Sequence, residues 1–167
     1  ELHPEVQKAL ANFRWTGSWH TVFLTIDRKN GLALDDEFRQ SVFRHLEQYR
    51  MAGYDLEINT PFFVPLEIEL RICVKPGYFR SQVQANLQQV FSRFGLPDGS
   101  RGFFHPDNFT FGQALYLSAL YERAMEVNGV ASVELKTFKR LHRKSEKEIL
   151  AGRIQAAPNE ILRLDND

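Results

Sequence analysis

Val64-Pro65-Leu66-Glu67-Ile68-Glu69-Leu70-Arg71-Ile72-Cys73-Val74-Lys75 is the stretch that sets the fold class. Val64, Leu66, Ile68, Leu70, Ile72 and Val74 recur at every second position, and Pro65, Glu67, Glu69, Arg71, Cys73 and Lys75 fill the alternate ones. Successive side chains of a strand point to opposite faces, so this period of two describes a strand with one buried and one wet face. A strand covered on both faces would read as a continuous apolar run, so the sheet is antiparallel or mixed. Pro76-Gly77 ends the strand.

Downstream, Val83, Leu87, Val90, Phe91 and Phe94 recur at helical spacing before Gly95. Residues 96–112 interleave turn formers with Phe103, Phe104, Phe109 and Phe111, and the expectation is an ordered, protruding loop or hairpin. Leu117, Leu120, Tyr121, Ala124 and Val127 mark a helix that stops at Asn128-Gly129, and residues 130–138 return as a strand. A polar linker to Pro158 then precedes a short strand over residues 161–164.

Upstream, residues 54–58 alternate as a short strand. The helix before it is the best-marked local element. Asp35 is its cap, Asp36 and Glu37 lie where the helix dipole favours acid, and Phe38, Val42, Leu46 and Tyr49 form the apolar stripe. Gly53 is the expected terminator. Residues 19–27 read as a strand with Val22, Leu24 and Ile26 on one face, followed by a turn at Lys29-Asn30-Gly31. Pro4, Val6, Leu10 and Phe13 fit a helix remnant. The fold class is α+β, two small sheet-plus-helix units with mixed or antiparallel sheets. The expected division is a helix remnant over 1–13, a strand-helix-strand unit over 14–60, and a strand-helix-loop-helix-strand-strand unit over 61–167.

Composition narrows the function. The 167 residues carry 21 Lys plus Arg and 21 Asp plus Glu, and a polyanion binder normally shows a clear basic excess. Apolar residues at 43% and charged residues at 25% match an ordinary globular protein rather than a disordered one. No apolar run approaches the roughly 18 to 20 residues that span a bilayer. The lone Cys73 excludes an intramolecular disulfide framework and disfavours a Cys-ligated zinc site. Fourteen Phe against two Met favours rigid packing surfaces. The chain begins at Glu1 with no signal region after it, and its last residues stop without a tail, so the expectation is a piece of a longer polypeptide.

No assembled active site is legible. The glycines make no dinucleotide fingerprint or P-loop, and neither HExxH nor Gly-x-Ser-x-Gly occurs. His105-Pro106-Asp107-Asn108 is the most enzyme-like cluster, and a metal-dependent hydrolase centred on His105 and Asp107 is the alternative reading. The same four residues also make a turn, the favoured reading. Cys73 has no helix terminus or basic cluster to activate it. Lys136, Lys139, Arg140, Arg143 and Lys144, flanked by Glu146 and Glu148, read as a solvated strand end or a salt-bridging subunit contact rather than a phosphate site. Trp15-Thr16-Gly17-Ser18-Trp19 offers stacking platforms for a carbohydrate-binding module, or rings that pack on a neighbouring element or subunit.

Several segments together resemble a known family. Residues 15–19 with 22–27, Tyr49-Arg50-Met51-Ala52-Gly53-Tyr54-Asp55-Leu56-Glu57, Phe63-Val64-Pro65-Leu66-Glu67, Val74-Lys75-Pro76-Gly77-Tyr78-Phe79-Arg80, the loop 96–112, and Glu160-Ile161 with Leu164-Asp165-Asn166-Asp167 are similar to the baseplate J-like (wedge) proteins of contractile phage tails and tail-derived injection systems. The resemblance runs from about Arg14 to the end and corresponds to the middle and C-terminal part of such a protein. It implies a non-enzymatic subunit that joins other baseplate wedge subunits, with self-association as a further option. It implies no cofactor, metal, nucleic acid, membrane or small-molecule substrate, and a place in the tail baseplate or injection particle after synthesis in the bacterial cytoplasm. Exposed aromatic and arginine side chains anchor interfaces. The candidate contact patch is therefore Phe103, Phe104, His105, Phe109 and Phe111, with Tyr78, Phe79 and Arg80 adjoining. The competing expectation is that these phenylalanines fold into their own core.

Overall fold

The alternation over residues 64–75 forms a 13-residue strand, Phe62–Val74, in a computed structural model that describes residues 3–50, 53–96, 99–144 and 147–164. Met51, Ala52, Glu146 and Asp165-Asn166-Asp167, which belong to motifs quoted above, lie outside the described residues. The chain divides into two compact units between Phe62 and Phe63.

The first unit contains β1 (Val6–Trp15), β2 (His20–Arg28), α1 (Asp36–Glu47) and β3 (Tyr54–Asn59). They form a mixed sheet in the order β1-β2-β3, with β1 antiparallel and β3 parallel to β2. Parallel neighbours need a crossover, and α1 is that crossover. Its start is fixed as the sequence indicates: Asp35 Oδ1 accepts a 2.7 Å hydrogen bond from the Phe38 amide, and Arg28 reaches Asp35 Oδ2 at 2.8 Å. The Phe38 amide, and then the Arg28 guanidinium, hold the Asp35 carboxyl below its usual range. Phe38, Val42 and Leu46 pack on Leu24, Ile26 and Ile58, which places the core under α1.

Two expectations fail in this unit. The helix remnant expected over 1–13 is absent; residues 6–15 are the edge strand β1. Val6, Leu10 and Phe13 do fall at helical intervals, but Ala9, Ala11, Phe13 and Trp15 alternate with Lys8, Asn12 and Arg14, and nine cross-strand residue pairs with β2 realise that period. Gln7 is an extra residue in β1, because Val6 opposes Arg28 while Lys8 opposes Asp27. Nor does Gly53 terminate α1, which ends at Glu47. The Tyr49 and Arg50 amides donate to the Leu46 and Glu47 carbonyls in tighter turns.

The second unit contains β4 (Phe62–Val74), α2 (Arg80–Val90), β5 (Leu115–Tyr116), α3 (Leu117–Met125), β6 (Val130–Arg140), α4 (Glu148–Ala151), β7 (Arg153–Ile154) and β8 (Glu160–Arg163). The main sheet runs β6-β4-β8 with β4 and β6 antiparallel, and β5 pairs with β7. Val64, Leu66, Phe138, Leu120 and Ile161 form one core cluster with the aromatic loop. A second gathers Val83, Val127 and Val130 with Ile72, Val74 and Leu87. On the wet face, Lys139 pairs with Glu67 at 3.0 Å, Thr137 with Glu69 at 3.2 Å and Arg71 with Glu134 at 3.7 Å. The segment expected as a plain polar linker carries α4 and β7, because Ile154 is buried opposite Leu115.

Two contacts set how tightly this unit closes. A Cβ on Gly102 would lie 2.2 Å from the Ser92 carbonyl oxygen. Gly102→Ala is therefore expected to cost about 2 kcal/mol by overpacking, read as a lower guanidinium midpoint. Arg140 meets Glu160 at 2.8 Å, and Glu160 Oε2 accepts from the Ala157 amide at 2.8 Å. Arg140 first, with the Ala157 amide also contributing, holds the Glu160 carboxyl below its ordinary 4.5. A depressed folded value contributes stability above the ordinary one that is lost as pH falls through it. Glu160→Gln should thus lower the unfolding midpoint at neutral pH, and the gap from wild type should close as pH falls below 4.5.

Candidate interaction surface

The aromatic loop does not protrude as a patch. Gly95 and Arg101 form a bridge, but beyond it the backbone turns back onto the end of α2. The Phe103 amide donates to the Val90 carbonyl at 2.7 Å and the Phe104 amide to Ser92 at 3.2 Å. Phe104 and Phe109 are stacked in the core at 6.0 Å, and Phe103 meets Phe104 edge-on at 4.9 Å. His105 is buried, and Phe103 and Phe111 are half-buried against the same cluster. The exposed-patch expectation is corrected for Phe104, His105 and Phe109: the Phe104 amide donates to Ser92 just beyond α2, the His105 and Phe109 amides donate to Gly102 and Pro106 within the loop, and the Phe104 and Phe109 rings belong to the core cluster. Pro97 and Asp98 of this loop lie outside the described residues.

The His105–Asn108 cluster is a turn. His105 Nδ1 accepts from the Asp107 amide at 3.2 Å, and Asn108 Nδ2 donates to the Gly102 carbonyl at 2.8 Å. Asp107 pairs with Arg101 at 3.3 Å. Among the described residues no group of three or more His, Cys, Asp and Glu could hold a metal ion. Cys73 is exposed on the wet face opposite Ser132. In the basic run, Lys136, Lys139 and Arg140 pair with Glu134, Glu67 and Glu160.

Tyr78, Phe79 and Arg80, in contrast, are exposed at the turn into α2, Phe79 by 76%. Tyr78 lies across Gly129, where a Cβ would approach its ring to 2.5 Å.

A larger exposed aromatic surface belongs to the first unit. Twelve residues of α helix cover about 18 Å, whereas the ten-residue β1 extends about 33 Å, so α1 can roof only part of the sheet face. The unroofed part is ring-bearing. Registered rows place Phe13 with Val22 and Leu56, and Trp15 with His20 and Tyr54. Phe13 meets Tyr54 at 6.3 Å and Trp15 meets His20 at 5.0 Å, both edge-on. Phe13, Val22, Leu46, Tyr49, Tyr54 and Leu56 line a cleft of about 480 Å³ there. Phe13, Trp15 and Tyr49 are more than 60% exposed, as is Trp19 in the β1–β2 turn. Of these rings, the sequence motif singled out only the two tryptophans. The alternation Ala9, Ala11, Phe13, Trp15 was the signal for Phe13.

The aromatic loop and the aromatic surface separate by mutation. Phe104→Ala is expected to cost about 3–5 kcal/mol of stability. Trp19→Ala, on an open turn, should leave the guanidinium midpoint within about 0.5 kcal/mol of wild type.

Comparison with known proteins agrees with this architecture. Residues 1–59 match the family model of the baseplate J-like central domain. Among solved structures, the fold is similar to that of a chain in the cryo-EM structure of the anti-feeding prophage (AFP) baseplate, 6-fold symmetrised. The identity is 14% and the TM-score 0.52, over 98% of this chain and 34% of that one. This chain therefore spans about a third of that baseplate chain's length. No curated protein matches the sequence. Residues 1–59 are thus similar to the baseplate J-like central domain, and nearly all of the chain shares the fold of part of a baseplate chain.

Proposed function

We propose that the chain is a structural building block of a baseplate wedge in a contractile tail, from a phage, a prophage or a tail-derived injection system, and that it acts by assembly and not by catalysis. The observation that carries this reading is the aromatic surface beyond the end of α1. Contiguous exposed apolar area marks interaction sites, and tryptophan, tyrosine and phenylalanine are enriched in them. Phe13, Trp15, Tyr49 and Tyr54 supply such a surface on a rigid sheet and helix end. The exposed Tyr78-Phe79-Arg80 turn is a second contact point of the same chemistry. The partners in this reading are other wedge subunits, and the chain resides in the finished particle after synthesis in the bacterial cytoplasm.

The metal-hydrolase alternative has no geometric support, since His105 caps its own turn. The carbohydrate reading retains one observation, the 62% and 61% exposure of Trp15 and Trp19. A glycan array settles it: binding lost in both tryptophan-to-alanine variants would favour that reading, and silence would remove it.

Assembly is tested in particles. Phe13→Ser with Trp15→Ser should reduce incorporation of the chain into purified tails or injection particles by about tenfold or more, the loss expected of central aromatic anchors, with an unchanged far-UV spectrum. A wild-type chain absent from purified particles, or a variant incorporated as well as wild type, sinks the proposal.

A further inference from the structure

The second unit carries a cavity that the assembly reading does not use. It measures about 610 Å³ and lies where the aromatic loop meets β5 and the start of α3. That volume is typical of ligand pockets, about 300–1,000 Å³. Val90, Leu96 and Phe103, all half-buried, give it an apolar wall. Arg101 and Arg123 both line it, and no acidic side chain among the described residues does. Each guanidinium also meets a carboxylate outside the lining, Asp107 at 3.3 Å from Arg101 and Glu126 at 3.2 Å from Arg123. A guanidinium has five N–H donors, so one carboxylate does not use up either of them. The other polar groups are of both kinds. Gln113 Oε1 accepts from the Thr110 amide at 3.0 Å, which leaves its Nε2 as a donor. Asn108 Nδ2 donates to the Gly102 and Phe103 carbonyls at 2.8 and 3.2 Å, which leaves its Oδ1 as an acceptor.

We propose that this cavity binds a short extended peptide segment of a partner protein, one that presents a carboxylate side chain beside an apolar side chain. Two guanidiniums with no acid in the lining call for an anion, and the planar fork of arginine matches a carboxylate with two parallel hydrogen bonds. The apolar wall calls for a neighbouring side chain of the size of leucine or phenylalanine, because a bare anion would leave that surface in water. The Asn108 acceptor separates a peptide from a phosphodiester. A peptide amide donates to it, whereas a phosphodiester has no donor to offer. The balance of 21 cations against 21 acids over the chain likewise lacks the basic excess of a polyanion binder. The cavity shares no residue with the aromatic cleft or with Tyr78-Phe79-Arg80. The proposal therefore goes beyond the assembly reading, and its failure would leave that reading standing.

The test pans a library of random octapeptides, displayed between glycine flanks so that no free terminus is offered, against the full chain. Enriched sequences should set an aspartate or glutamate next to a leucine, phenylalanine or similar apolar residue. The most enriched peptide is then synthesised with a fluorophore and its binding followed by anisotropy. Exchanging its acidic residue for the amide should weaken binding about tenfold or more, and so should Arg123→Gln in the protein. Ala119→Phe, which fills the cavity from α3 without changing its charge, should abolish binding. Neither variant touches the Arg101–Asp107 pair, and an unchanged far-UV spectrum and guanidinium midpoint identify a folded variant. Phe13→Ser with Trp15→Ser, at the other surface, should bind the peptide like wild type. Three results would each overturn the proposal: no enrichment, enriched peptides without an acid, or a peptide that binds both cavity variants as tightly as wild type. Loss of binding in the Phe13 and Trp15 variant would do the same, by moving the peptide to the aromatic cleft.

Discussion

Parallel pairing of β2 and β3 is the constraint on which the first unit depends. Two parallel strands cannot be joined by a tight turn, so the chain between them must cross the sheet, and here it crosses as α1. Everything exposed on this unit follows from the length of that crossover. Under the helix, Ile26, Phe38, Val42 and Ile58 are buried; beyond its last turn the same strands present rings to the exterior. The face opposite the helix receives no cover from the crossover, and its central column is threonine, phenylalanine and threonine rather than an aliphatic run. One short helix over a longer sheet therefore makes three surfaces of different character from one three-stranded element.

The second unit treats its aromatic residues in the opposite way. Phe104 and Phe109 are core residues on a loop, which works only because the loop's polar backbone is satisfied. The amides of residues 102, 103 and 104 all find carbonyl partners in the segment from Val90 to Phe94, and the Asn108 side chain takes the Gly102 carbonyl. A loop paired this well can go inward. The exposure of Phe13 and the burial of Phe104 are thus decided by what lies opposite each backbone, not by the preference of phenylalanine itself.

This explains what the sequence could and could not reveal. The strand over Val64–Val74 and the Asp35-capped helix were legible because each is written in local chemistry, a period of two in one case and an Asx cap with an acidic first turn in the other. Residues 6–15 carry two periods at once, and only pairing with β2 selects the strand. The fate of the loop phenylalanines was not legible, since it depends on contacts with α2 that no local pattern records. The aromatic surface was half legible. Trp15 and Trp19 stood out as a motif, while Phe13, Tyr49 and Tyr54 come from three separate elements and meet only in the fold.

The extra residue Gln7 has a consequence for how such a surface can change over time. It sets the phase of β1: Val6 can reach the core while Phe13 and Trp15 remain on the helix side and Asn12 and Arg14 on the other. Because Val6 already pairs with Arg28 and Lys8 with Asp27, losing the codon for Gln7 would leave an unbroken ladder with the ring column and the charged column on their present faces. At this one position the strand can shed a residue while its descendants keep the same side chains turned toward the same neighbours.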